Sequence, residues 1–385
     1  MFKVYDLYDY GWMIADRVRT DAYAQALRQV VKPGSVVLDI GTGTGIWPLL
    51  ACKSGARRVY AIDVGPVIQV ARELAAAHGY AARITFMQAV STQVALPEQV
   101  DVIVAEIHGV LPLFQTSVVS IADARRRLLA PGGTLIPRSE TLWAAVVEAP
   151  EIYTRHSIPW VENRYGIDMR AVLRYSTNTF RRCRVVPEQL LGEPKCWATL
   201  DYAVLESPDV CGAATWTAKR AGIAHGLSVW FDAALAEGVS LSNAPDAPEL
   251  IFGSAFFPWA RPVNIDAGDT VSVTLQADLV GEDYIWRWDT CVLNQGHPGQ
   301  VKATFKQSTF LETPFSTEQL QRAAATHRPT LNEDGQINRY ILTLMDGQTS
   351  LGDIARQLSH QFRHRFTTYQ DALAHIAELS QAYSR

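Results

Sequence analysis

The chain has 385 residues, of which 48% are hydrophobic and 19% charged, and a formal net charge of -4. That length exceeds what one ordinary core accommodates and implies two or three domains. The slight negative charge excludes a broad nucleic-acid face, and the absence of an apolar run of about 20 residues excludes a spanning helix.

Residues 10–145 alternate strand-like and helix-like runs. Residues 35–40 (SVVLDI) form a short apolar run ending in a glycine cluster, Ile46–Lys53 reads as a helix, and residues 58–62 form a second strand closed by Asp63. Residues 67–78 are Ala-rich and helical, Ile84–Gln88 and Val100–Ala105 are strand-like, and residues 121–130 form a helix stopped by Pro131-Gly132-Gly133 before a strand at 134–136. Continuous apolar strands separated by helices predict a parallel sheet covered on both faces, an α/β doubly wound domain. From about 140 to 310, short runs rich in Val, Thr, Trp and Phe alternate with Pro, Gly and Asp, which predicts an antiparallel β domain. The last residues show three amphipathic stretches, 337–344, 351–362 and Tyr369–Tyr383, with Asp346-Gly347 at a turn. The expected domains are 1–140, 141–325 and 328–385. Cys52, Cys183, Cys196, Cys211 and Cys291 are scattered without metal spacing, and no signal peptide opens the chain. A cytoplasmic protein with reduced thiols is the expectation, without metal, nucleic-acid or membrane partners.

The sharpest feature is Val36-Val37-Leu38-Asp39-Ile40-Gly41-Thr42-Gly43-Thr44-Gly45, with Asp63 ending the second strand. Glycines let the backbone turn tightly and approach a ligand at the edge of the first strand. An acid at the end of strand two can accept hydrogen bonds from ribose hydroxyls. A dinucleotide fingerprint would read GxGxxG. The GxGxG spacing and the acid inside strand one instead resemble methyltransferases that use S-adenosylmethionine.

The segment from Trp12 to Tyr23 (WMIADRVRTDAY), then LDIGTGTG, Gly55-Ala56, and residues 96–106 (LPEQVDVIVAE) resemble the protein arginine methyltransferases in order and spacing over about 1–150. Residues 160–169 resemble the stretch leading into that family's dimerisation arm. The resemblance implies a β-barrel-like second domain and a homodimer. It also implies that Arg19 pairs with the methionine carboxylate, that Gly41 and Gly43 flank the methionine moiety, and that Asp63 holds the ribose. Asp39, Thr42, Val64, Ser91 and Glu106 complete the expected cofactor-binding set.

Several positions depart from the family pattern. Of two glutamates that would hold a guanidinium, the first is Glu106 and the second position carries Gln115. A neutral amide does not replace a carboxylate in a bidentate clamp on a permanent cation. The Thr-His-Trp loop is missing, its place falling near Leu250-Ile251-Phe252. The glutamate expected near the adenine is replaced around Ser91-Thr92, and the N-terminal tyrosine pair loses register among Tyr5, Tyr8 and Tyr10. The expected catalytic residues are Glu106, which orients or deprotonates the nucleophile, His108, as a base or pocket lining, and Gln115, as a hydrogen-bonding amide. Trp230, Trp259, Trp286 and Trp288 form either an aromatic wall for a cation or core. Residues 338–358 and the final helix resemble small winged-helix modules that bind leader peptides of ribosomally made natural products. That resemblance implies a peptide partner joined as an added strand. The resulting expectation is an N-methyltransferase acting on a peptide or protein side-chain nitrogen, such as that of a ribosomally made natural-product precursor. A small-molecule N- or O-methyltransferase and an inactive cofactor-binding scaffold stay open as alternatives.

Overall fold

A computed structural model of the chain describes residues 5–162, 165–297, 299–314 and 316–384. The chain divides into two compact units, residues 1–314 and 315–385.

The first unit opens with α1 (Leu7–Ala15) and α2 (Arg17–Val30), joined at Asp16, which ends one helix and caps the next. An α/β layer follows: β1 (Val36–Ile40), α3 (Ile46–Lys53), β2 (Arg58–Asp63), α4 (Ile68–Ala77), β3 (Ile84–Gln88), β4 (Val100–Ala105), α5 (Ser117–Arg127) and β5 (Leu129–Ile136). These strands form one parallel sheet in the order β3-β2-β1-β4-β5. All five residues of β1 are buried, because helices cover both faces. The order reverses direction between β1 and β4, and such a switch point opens a crevice at the C-terminal ends of the two strands. One expectation is corrected here. Pro131-Gly132-Gly133 does not separate helix from strand but lies inside β5, where the pairing with β4 shifts register between Val100 and Val102.

The second layer of this unit is antiparallel. It contains β6 (Ser139–Val147), α6 (Pro150–Val161), α7 (Leu173–Ser176), β7 (Arg181–Cys183), β8 (Lys195–Asp201), β9 (Val210–Thr217), β10 (Gly222–Ala236), β11 (Val239–Ser242), β12 (Ser254–Ile265), β13 (Thr270–Val280), β14 (Asp283–Leu293) and β15 (Val301–Ser308). One sheet runs β7-β12-β10-β6-β8, with β11 on β10, and the other runs β15-β14-β13-β9. Trp230, Trp259, Trp286 and Trp288 are each at most 2% exposed. The cation-wall reading is therefore overturned: these rings fill the core of the β layer, with Trp286 and Trp288 packed against Phe257.

The second unit holds α8 (Thr317–Ala323), α9 (Glu333–Leu344), α10 (Leu351–Gln361) and α11 (Tyr369–Tyr383). Ile337, Ile341, Ile354, Leu358, Phe366 and Ile376 form its own core. The expected winged helix is met only in its helices: among the described residues of this unit no strand forms. Asp346 accepts from the backbone N–H groups of Gln348 and Thr349, and Ser350 already caps α10, so this connection is a tight turn. Residues 362–368 are too short a link to α11 for a paired wing.

Candidate functional site

Loops from the switch point line a cavity of about 620 Å³, in the size range of small-molecule sites. Its floor at β1 is the glycine loop. Gly41, Gly43 and Gly45 have φ of 79°, 53° and 89°, which other residues adopt only under strain. The N–H groups of Gly41 and Thr42 donate to the Ile62 carbonyl at 2.9 and 3.0 Å, which folds the loop back over β2. A Cβ on Gly43 would meet Tyr10 Cε1 at 2.6 Å, so the α1 ring rests directly on the loop.

Asp63 ends β2 facing this loop, and its carboxylate accepts from Gly43 N–H and Gly65 N–H, both at 2.7 Å. Val64 and Ser91 lie on the same wall; Val64 is exposed, and the Ser91 carbonyl accepts from Arg127 Nη2 at 3.1 Å. Gly41, Thr42, Gly43, Asp63, Val64, Ser91, Arg19, Glu106, His108 and Gln115 all border the cavity. Asp39 does not. It is fully buried beneath the loop, where the Thr42 hydroxyl donates to Oδ2 and Oδ1 has no partner. Its expected place on the cofactor-binding wall is corrected accordingly: it supports the loop from below.

Glu106 follows β4 and faces the glycine loop across the switch point. Arg19 grips it with Nε and Nη2 on separate carboxylate oxygens, and Trp47 Nε1 donates to it at 3.2 Å. The Arg19 and Glu106 side chains are only 6% and 5% exposed. Burial opposes the charge on Arg19, but contact with Glu106 outweighs it and raises the pKa above the ordinary value. Arg19 also lies over the Trp47 ring at 5.2 Å and donates to the Met13 carbonyl at 2.7 Å.

His108 borders the cavity, yet its side chain is only 1% exposed. Its Nε2 lies 2.8 Å from Glu140 Oε1, an ion-pair distance without hydrogen-bond alignment. Tyr202 OH donates to the other Glu140 oxygen at 2.5 Å, and Phe231 and Phe252 flank the imidazole. Burial lowers the His108 pKa, and the Glu140 carboxylate more than reverses this. The ring nitrogens are sealed from the cavity, so the geometry gives His108 the part of a strut between the Glu106 loop and β6. Gln115 has φ 46°, the one positive value outside glycine among the described residues.

Other residues also border or brace the site. Tyr5 and Tyr10 line the cavity whereas Tyr8 is exposed. Asp16 caps α2 through Arg19 N–H at 3.1 Å and accepts from Ile251 N–H at 2.8 Å. Loop 250–253 thereby reaches the Arg19–Glu106 pair. Trp47, Glu140 and Arg182 carried no spacing signal, and only the fold brings them to the site. No group of residues suited to a metal ion occurs among the described residues.

Residues 19–138 match the family model described as Ribosomal protein L11 methyltransferase (PrmA), and residues 138–283 match the Arginine methyltransferase oligomerization subdomain. Protein arginine N-methyltransferase 6 of Xenopus laevis is 30% identical over 251 residues, covering 62% of this chain and 74% of that protein. Arginine N(omega)-methyltransferase of Streptomyces achromogenes subsp. streptozoticus is 30% identical over 272 residues, covering 68% and 74%. Probable protein arginine N-methyltransferase 6 of Arabidopsis thaliana is 32% identical over 251 residues, covering 63% of this chain but 57% of that protein. Among solved structures, protein arginine methyltransferase 10 of Arabidopsis thaliana shares the fold with a TM-score of 0.70 at 24% identity, covering 79% of this chain and 97% of that one. A Trypanosoma brucei enzyme–prozyme heterotetramer with AdoHcy also scores 0.70 at 24% identity, covering 78% and 96%.

Proposed function

The chain belongs to the protein arginine N-methyltransferase family, and on that premise we propose that it methylates a side-chain nitrogen of a peptide or protein, with arginine as the accepted residue. Its cofactor is S-adenosylmethionine, which when bound supplies a methyl carbon activated by the sulfonium for in-line displacement. The residues present fit that group. The glycine loop leaves no room for a Cβ at Gly43, Asp63 offers carboxylate lone pairs at the end of β2, and Arg19, paired with Glu106, is a cation on the cavity wall.

The observation that carries the proposal is Glu106, a carboxylate held on the cavity wall by Arg19 and Trp47 and facing the glycine loop. Fixed in this way, it orients the acceptor nitrogen toward the loop and holds a proton as the new bond forms. Gln115 contributes a carbonyl oxygen in place of a second carboxylate. Glu106 is then the one carboxylate of the acceptor clamp, and it is paired with Arg19. A homodimer through residues 150–162 and 165–169 is supported by the oligomerization-subdomain match and by exposed Ile158, Val161 and Met169. The helical second unit is proposed to recruit the peptide.

The test is calorimetric titration with S-adenosylhomocysteine, followed by transfer of a labelled methyl group to arginine-containing peptides. Micromolar binding that is lost in Asp63→Ala, with label on a side-chain nitrogen, is the expected result. Label found solely on oxygen or carbon would overturn it.

A further inference from the structure

One cation on the cavity wall forms no ion pair among the described residues. Three carboxylates line the cavity, and all are engaged within the protein: Asp63 by the Gly43 and Gly65 N–H groups, Glu106 by Arg19, and Asp9 by the Asp6 N–H. Asp9 belongs to the capping box of α1. Two cations line the cavity, Arg19 and Arg182. Arg19 has Glu106; Arg182 has no carboxylate partner among the described residues.

Arg182 sits on the edge strand β7, paired with Ala255 of β12. Its stem crosses Gly253, where an added Cβ would meet Arg182 Cγ at 2.8 Å. Nη1 donates to the Ile251 carbonyl at 2.8 Å, and that is the one hydrogen bond of this guanidinium among the described residues. Its other donors are uncommitted, on an exposed side chain that borders the cavity beside Phe180 and Phe252. A continuous chain of contacts fixes its place relative to the chemistry: Ile251 N–H to Asp16, Asp16 to Arg19 N–H, and Arg19 to Glu106.

A planar guanidinium with free donors suits a carboxylate or a phosphate in bidentate geometry. Of the two, a carboxylate matches one guanidinium as a monoanion, whereas a phosphate dianion would call for a second cation or a cluster of backbone amides.

We propose that Arg182 is a specificity-determining residue that binds a carboxylate carried by the acceptor substrate. The inference rests on the nitrogen-methylation reading above and narrows its substrate class to carboxylate-bearing acceptors. The carboxylate is either the α-carboxylate of an accepted residue at a peptide's C-terminus or the side chain of an acidic neighbour.

The experiment uses the full chain saturated with S-adenosylhomocysteine and titrated calorimetrically with three probes: N-acetyl-arginine, N-acetyl-argininamide and acetyl-Asp-Arg-amide. At least one carboxylate probe should bind ten or more times more tightly than N-acetyl-argininamide. Preference for N-acetyl-arginine identifies the α-carboxylate, and preference for acetyl-Asp-Arg-amide the acidic neighbour. Arg182→Gln should abolish the preference while leaving S-adenosylhomocysteine affinity unchanged, and Arg182→Lys should restore part of it. Equal affinities for the three probes, discrimination that survives Arg182→Gln, or no probe binding while S-adenosylhomocysteine still binds would each overturn the proposal. Failure to bind S-adenosylhomocysteine would instead overturn the parent reading, and this one with it.

Discussion

Asp39 is fully buried, and burial pushes its carboxyl up to about 8, against the opposing hydrogen bond from Thr42. In the unfolded chain it titrates near 3.8. The folded protein therefore holds an extra proton between these values, and the stability this provides is complete below about pH 4 and lost as the pH rises through about 8. Asp39→Asn has no charge to bury, so it should melt no lower than the parent at pH 8.5 and lose the decline between pH 5 and pH 8.5. Scanning calorimetry across that range checks this; a variant that melts lower than the parent at pH 8.5 would refute it. The same residue shows why sequence reasoning misplaced it. In a strand buried on both faces, alternation carries no information about which way a side chain points. Glu106 was legible because the end of a central strand at a switch point faces the ligand whatever the neighbours are. His108 was half legible. Its position near the site follows from the chain, but its enclosure by Glu140, Phe231 and Phe252 depends on strands far away in sequence. Arg182 gave no signal at all, being one arginine of an exposed pair.

Among the elements, helices and buried parallel strands were readable because each is local: one period or one apolar run identifies it. The short strands β7 and β11 were not, since their pairing is set by distant partners rather than by their own residues. The wing was expected from resemblance, and the loops on either side of α10 are too short to build one. At the glycine loop, local chemistry and packing converge. Gly43 has positive φ, and Tyr10 of α1 occupies the space where a Cβ would stand. Gly43→Ala combines a backbone penalty of about 1 kcal/mol with displacement of Tyr10. S-adenosylhomocysteine should bind roughly tenfold more weakly to this variant, about 1.4 kcal/mol, with the melting temperature changed by only a few degrees. Calorimetric affinity and a thermal melt on one preparation separate the effects; unchanged affinity would show that α1 does not help to hold the ligand.

At the scale of the whole molecule, the parallel sheet, the antiparallel sheets and α1 belong to one compact unit, and the tail is a second unit with its own core. A chain ending at Pro314 should consequently keep its S-adenosylhomocysteine affinity and fold cooperatively. If the tail recruits peptide, the truncated chain should bind a full-length peptide substrate more weakly while its affinity for a short arginine peptide is unchanged. Loss of cofactor affinity on truncation would show that the two units depend on each other. None of the helices among the described residues is long and apolar enough to cross a membrane.

The first helix has a thermal consequence. None of the residues of α1 is buried, although Tyr10 and Met13 border the cavity. A nine-residue helix without a buried face is marginal in water, so it belongs to the low-stability end of the molecule. A ligand that rests against it must therefore order it, releasing heat and losing conformational entropy. Affinity for such a ligand falls on warming even where the rest of the unit stays fully folded, so ligand occupancy responds to temperature through this one short helix.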